Sequence, residues 1–86
     1  MFVVELAFDA TPERMQARPA HRERLQTLRA QGRLVMAGPY ADDSGALLVF
    51  DVAALDELQQ LLDEDPYYRT AGVTVLRRTE WTPIVR

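Results

Sequence analysis

The twenty residues RLVMAGPYADDSGALLVFDV, Arg33 to Val52, decide the architecture. Two extended runs, 33–41 and 46–52, flank Asp42-Asp43-Ser44-Gly45, a polar loop ending in glycine. That pattern reads as a hairpin. Gly38-Pro39 falls inside the first run, and proline cannot donate to a strand ladder, so that part belongs at an edge or a bulge. In the second run Leu47 and Val49 face one way, while Leu48, Phe50 and Val52 face the other. Both faces are apolar, whereas an antiparallel sheet with one wet face alternates more cleanly.

Outward from this hairpin, each flank carries a helical pattern and then a strand. On the N-terminal side, Phe2 to Phe8 places Phe2, Val4, Leu6 and Phe8 on one face and Val3, Glu5 and Ala7 on the other, as a strand does. Thr11 then Pro12 is a helix start, with threonine as N-cap and proline in the first turn. Pro19 interrupts the pattern, since an interior proline costs about 3 kcal/mol. The expectation is a helical lead-in through about Gln16, then a main helix from Pro19 to Gln31, stopped by Gly32. On the C-terminal side a helix is expected over Ala53–Asp63, with Leu55, Leu58, Leu61 and Leu62 as its apolar stripe. Asp65-Pro66-Tyr67-Tyr68 opens a short turn of helix, Val73–Trp81 forms the last strand, and Pro83 closes it. The order β-α-β-β-α-β is the ferredoxin-like arrangement, an α+β fold with two helices on one face of a four-stranded antiparallel sheet. One domain spans 1–86. No helix is left to cover the second apolar face of 46–52. A second copy packed sheet against sheet in a two-fold homodimer would cover it, as would the chain's own C-terminal segment.

Composition narrows the chemistry. The chain has 86 residues, no cysteine, one histidine, and ten arginines without a single lysine. Disulfides, Cys/His zinc sites, Schiff-base chemistry and a phosphate-loop lysine are excluded. A domain of this size hides only roughly 60–65% of its unfolded surface, so a partner subunit is the remaining way to reinforce its core. One histidine among scattered carboxylates is a poor transition-metal set, and no cofactor motif is present; metal and cofactor are both expected to be absent. No leader pattern and no membrane-length apolar run occur, so the chain reads as cytoplasmic with no membrane partner. The net charge of −3 hides a split. Six arginines and one acid lie between Arg14 and Arg33, and six acids without a base lie between Asp51 and Asp65. The two helices then carry opposite charge, either compensating each other or offering an arginine-rich rim to an anionic substrate. Nucleic acid is not an expected partner, because the chain is acidic and lacks the basic-aromatic strands of RNA-recognition domains.

His21, Leu25 and Leu28 share the helix stripe that faces the sheet, which points the lone histidine inward. Histidine is the side chain that ordinarily changes charge between pH 5 and 8, and a carboxylate partner fixes its tautomer. Asp65 is the candidate partner, although an aspartate before Pro66 is also an ordinary N-cap. Arg18, one turn before His21, is a candidate anchor for an anion. Tyr40 is a candidate pocket residue or a strand-packing one. Ser44 reads as a turn residue, and Tyr67, Tyr68 and Trp81 as core or interface aromatics.

Arg18-Pro19-Ala20-His21, Leu25, Leu28, Gly32, Gly38-Pro39, Gly45, Asp65-Pro66-Tyr67 and Gly72 together resemble the YciI-like (YCII-related) family, across essentially the whole chain. The resemblance implies a dimeric α+β barrel, similar in architecture to muconolactone isomerases and antibiotic-biosynthesis monooxygenases. It implies a His–Asp active site, carried onto His21 and Asp65, and it associates the family with lyase-type elimination on a ring; Tyr67, two residues after Asp65, is a candidate substrate-binding residue. The hairpin loop is shorter here than in longer relatives. The expected function is a small cofactor-independent lyase- or isomerase-type enzyme acting on a small cyclic or anionic molecule. The alternatives are a non-catalytic small-molecule-binding or accessory domain, and a structural dimer in which His21–Asp65 is a core contact.

Overall fold

A computed structural model describes residues 1–86. Strand β1 (Phe2–Phe8) leads to helix α1 (Pro12–Ala30), the hairpin β2 (Leu34–Pro39) and β3 (Gly45–Phe50), helix α2 (Leu55–Asp63), a 3₁₀ turn (Pro66–Arg69) and β4 (Val73–Glu80). The four strands form one antiparallel sheet in the order β2-β3-β1-β4, the ferredoxin-like order. Both helices lie on one face. The register pairs Phe2 with Phe50, Val4 with Leu48 and Leu6 with Ala46, and these six, with Leu34 of β2, form the strands' buried contribution to the core. Leu28 of α1, Leu58, Leu61 and Leu62 of α2, and Tyr67 and Tyr68 of the 3₁₀ turn pack onto them. Each fully buried large aliphatic side chain contributes about 1.5–3 kcal/mol.

Helix α1 is where local reading and structure part. It runs unbroken through Pro19 for 19 residues, not as two pieces. Arg14, His21 and Leu28 are its buried residues, two turns apart each time, so one continuous buried row holds the helix to the fold across the proline. Pro19 and Met15 are exposed, and the Met15 carbonyl that Pro19 cannot satisfy is left on the wet side. Thr11 caps the helix as expected: its hydroxyl oxygen accepts from Arg14 N–H at 3.1 Å and its O–H donates to the Ala71 carbonyl at 2.6 Å, tying the helix start to the entry of β4. Gly32, at φ +76°, ends it.

Strand β2 is an edge strand, as Gly38-Pro39 suggested, but the irregularity falls earlier, between Leu34 and Met36. Beyond it Ala37 and Pro39 pair with Leu48 and Ala46 on the helix face, which turns Tyr40 to the outer face. The hairpin closes with Tyr40 N–H donating to the Gly45 carbonyl at 2.9 Å. Gly45 is obligatory because a Cβ there would overlap the Leu6 carbonyl of the neighbouring strand. On the outer face Met36 and Leu76 are 64% and 58% exposed, beside Leu47 and the buried Val49. No helix of the chain covers this face. No helix is long and apolar enough to cross a membrane.

Candidate active site

Asp65 precedes Pro66 at the start of the 3₁₀ turn, and its capping geometry aims both carboxylate oxygens. Oδ1 accepts the Tyr67 N–H at 3.0 Å. Oδ2 meets Nδ1 of His21 at 2.7 Å. Helix α1 supplies His21 from the opposite side, and both groups are buried, at 7% and 5% exposure. Burial alone would raise the Asp65 pKa. The His21 and Tyr67 hydrogen bonds, with the charges of His21 and Arg24, outweigh it and hold the carboxyl below its ordinary value. Asp65 is therefore ionised at neutral pH and can only accept, so Nδ1 of His21 carries the hydrogen.

The imidazole is fixed in two further directions. Its ring stacks on Tyr67 at 3.9 Å between centroids and 11° between planes. Tyr68 meets it edge-on at 5.3 Å. Burial, with the neighbouring Asp65 carboxylate, pushes the Tyr68 hydroxyl pKa far up, so that side chain stays neutral. Nε2 has no protein partner and is not sealed from solvent; His21 lines a cavity of about 740 Å³ between α1 and the edge strand β2.

Arg14 shares this cavity and is only 3% exposed. Its Nε donates to the Asp9 carbonyl at 3.1 Å and its Nη2 to Asp43 at 3.1 Å, while the guanidinium carbon lies 4.3 Å above the Phe8 ring. Burial opposes its charge, but Tyr67 and Asp43 outweigh that and its pKa rises. Asp43 reaches it from the hairpin tip, in a left-handed conformation at φ 59°. A permanently charged guanidinium held by its neighbours is a ready stabiliser of negative charge forming on a bound molecule.

Of the residues singled out from the sequence, His21 and Asp65 are in direct contact, and Tyr67 and half-buried Arg18 line the cavity. Tyr40 does not. Its hydroxyl donates to Glu5 at 2.7 Å on the outer sheet face, because the β2 irregularity reverses which way it points. Arg14 and Asp43 were not singled out. Arg14 stands two turns before His21 on the same helix face, a signal concealed by the break expected at Pro19. The opposed charges of α1 and α2 meet directly only where Arg24 pairs with Glu64 at 2.6 Å. Nowhere are three histidine or acidic side chains gathered as a metal-ligand set.

Two curated relatives, the proteins named YciI of Escherichia coli O6:H1 and of Shigella flexneri, are each 36% identical, over 76% of this chain and 76% of theirs. Among solved structures, 5-chloro-2-hydroxyhydroquinone dehydrochlorinase of Burkholderia phenoliruptrix AC1100, in complex with 2,5-dihydroxybenzoquinone, superposes with a TM-score of 0.63 at 23% identity. That match covers 95% of this chain and 94% of the other, and it is a likeness of fold. The model of the YCII-related domain matches residues 1–82, and the chain belongs to that family.

Proposed function

We propose that this is a cytoplasmic, cofactor-independent enzyme that moves a proton within a small cyclic or anionic organic molecule, in a lyase- or isomerase-type reaction. The observation that carries the reading is the 2.7 Å His21–Asp65 bond, with Nε2 of His21 left open to a cavity that also contains the buried Arg14 cation. Asp65 positions the ring and favours the imidazolium that forms. Nε2 takes a proton from a ring hydroxyl or an acidic C–H of the substrate. The electron pair left behind moves onto a substrate oxygen, where Arg14, with Arg18 nearby, offsets the charge. When that pair returns, either a leaving group departs as an anion, giving elimination, or the proton comes back at another atom, giving isomerisation. Tyr67 supplies the aromatic wall against which His21 is stacked.

The fold shared with a dehydrochlorinase that holds a dihydroxyquinone supports a ring as the substrate. A homodimer completes the proposal. The outer sheet face, with Met36, Leu47, Val49 and Leu76, meets the same face of a second copy, so that the two sheets close into an α+β barrel. The test is chloride release from 5-chloro-2-hydroxyhydroquinone by the wild-type chain and by His21→Gln. Wild-type release above the uncatalysed rate, abolished in a variant that melts at a similar temperature, is the expected result. Tight binding of the compound with no turnover in either protein leaves a binding domain instead.

A further inference from the structure

The cavity wall formed by α1 is more cationic than a single reacting oxygen requires. Arg18, Arg22 and Arg29 line it along with Arg14. Arg14 is matched by Asp43, Arg24 on another side of the helix by Glu64, and Arg33 by Gln31. Arg18, Arg22 and Arg29 form no ion pair with any acid of the chain, although the chain has more acids than bases. Arg14, Arg18 and Arg22 are spaced four apart, where like charges destabilise an isolated helix, and Arg14, in the first turn, stands at the helix end whose dipole repels cations. Nothing within the protein offsets that arrangement beyond Arg14. Opposite the arginines the cavity is apolar, with Leu34, Val35 and Pro39 of β2. Its volume of about 740 Å³ exceeds what one small ring fills.

Resting on the acid–base reading above, we infer that the substrate is elongated and carries two anionic centres: one at the reacting ring beside His21 and Arg14, the other held by Arg29, with Arg22 between them along the cavity wall. Arg29 lies eight residues beyond His21, about 12 Å along the helix axis. A single-ring acid does not bridge that distance. A ring joined through an apolar spacer to a carboxylate or phosphate does, with the spacer against β2.

Calorimetric titration with biphenyl-4,4′-dicarboxylate, biphenyl-4-carboxylate and benzene-1,4-dicarboxylate at one fixed salt concentration tests this. The long diacid is expected to bind about tenfold tighter than the long monoacid, since charge-assisted bonds to arginine are the strong ones. It should exceed the short diacid similarly. In Arg22→Gln/Arg29→Gln, both exposed positions, the ratio should fall toward one at an unchanged melting temperature. A wild-type ratio near one, or a ratio that survives the double substitution, overturns the inference. Binding is read here without turnover. A ratio near one beside intact His21-dependent chloride release therefore overturns the two-anion substrate alone, whereas a tenfold ratio without chloride release supports it and overturns only the single-ring compound as a substrate.

Discussion

Replacing Asp65 in two ways separates what the carboxylate does for folding from what it does for His21. In Asp65→Ala the Tyr67 N–H and the His21 Nδ1–H both lose their acceptor inside the core, where the aspartate is 5% exposed. Each buried donor left unmade costs about 1–3 kcal/mol, and removing one partner of a buried pair costs about 3–5 kcal/mol. Against a total of roughly 4–13 kcal/mol for a chain of this length, the alanine variant is near the edge of folding. Asp65→Asn is different. Its carbonyl oxygen still accepts from Tyr67, and its amide can donate to Nδ1, provided the imidazole moves its hydrogen to Nε2. The cost falls to about 1–2 kcal/mol, but Nε2 then donates where it accepted, and its capacity as a base is gone. With each kcal/mol worth about 4–8 °C in a domain of this size, the two variants should melt at least about 8 °C apart at equal protein concentration. Because His21 is the only histidine, ¹⁵N-resolved NMR of the imidazole assigns the tautomer without ambiguity. The hydrogen is expected on Nδ1 in the wild type and on Nε2 in Asp65→Asn. Equal destabilisation by Asn and Ala, or an unchanged tautomer in Asp65→Asn, refutes the reasoning.

Asp65 also sets an acid limit. Its folded pKa lies below the ordinary value of 3.8, so its stabilising contribution is complete above that value and is lost as pH falls through the lower folded one. Urea midpoints should hold above about pH 4 and drop as pH falls from about 4 toward 2, and Asp65→Asn should flatten that drop. Gly45→Ala should cost about 1–3 kcal/mol in urea unfolding, because the new methyl meets the backbone of β1 and not a movable side chain; a loss under about 0.5 kcal/mol contradicts the packing described. Leu47→Glu places a charge on the outer sheet face at a position that is not in the core. Sedimentation should show a dimeric wild type and a folded monomeric variant, and a monomeric wild type at micromolar concentration ends the barrel proposal. Pro19→Ala restores an α1 hydrogen bond to the Met15 carbonyl at an exposed site and should stabilise the chain by about 1–2 kcal/mol, less than the full helix penalty because proline also restricts the unfolded chain.

Alternation and capping carried most of the fold. Phe2, Val4 and Leu6 declared their common face, Thr11-Pro12 declared the start of α1, and Gly32 its end. The stripe His21, Leu25, Leu28 aimed the histidine inward, and Asp65-Pro66 marked a cap. That the cap also reaches His21 depends on how α1 and the 3₁₀ turn pack, which no local pattern contains. The break expected at Pro19 and the pocket alternative for Tyr40 both give way to tertiary structure. Pro19 is an exposed residue on a helix whose buried row extends on both sides of it, so the penalty is absorbed and the helix continues. Splitting the helix there separated Arg14 from His21 and hid the second charged member of the cavity. Tyr40 has the same parity as buried Leu34 and would face the helices in a regular strand. One irregularity between Leu34 and Met36 reverses it, and nothing in the composition of β2 announces that shift.

In the proposed reaction Nε2 of His21 exchanges a proton with a molecule held in the cavity. Hydrogen–deuterium exchange at the ring carbons of 2,5-dihydroxybenzoquinone, followed by proton NMR in deuterated buffer, tests it without requiring the natural leaving group. The wild-type chain should accelerate exchange well above the buffer rate, and His21→Gln at the same degree of ligand saturation should return it to that rate. Saturable binding with exchange no faster than in buffer, or exchange that persists undiminished in His21→Gln, would contradict the account.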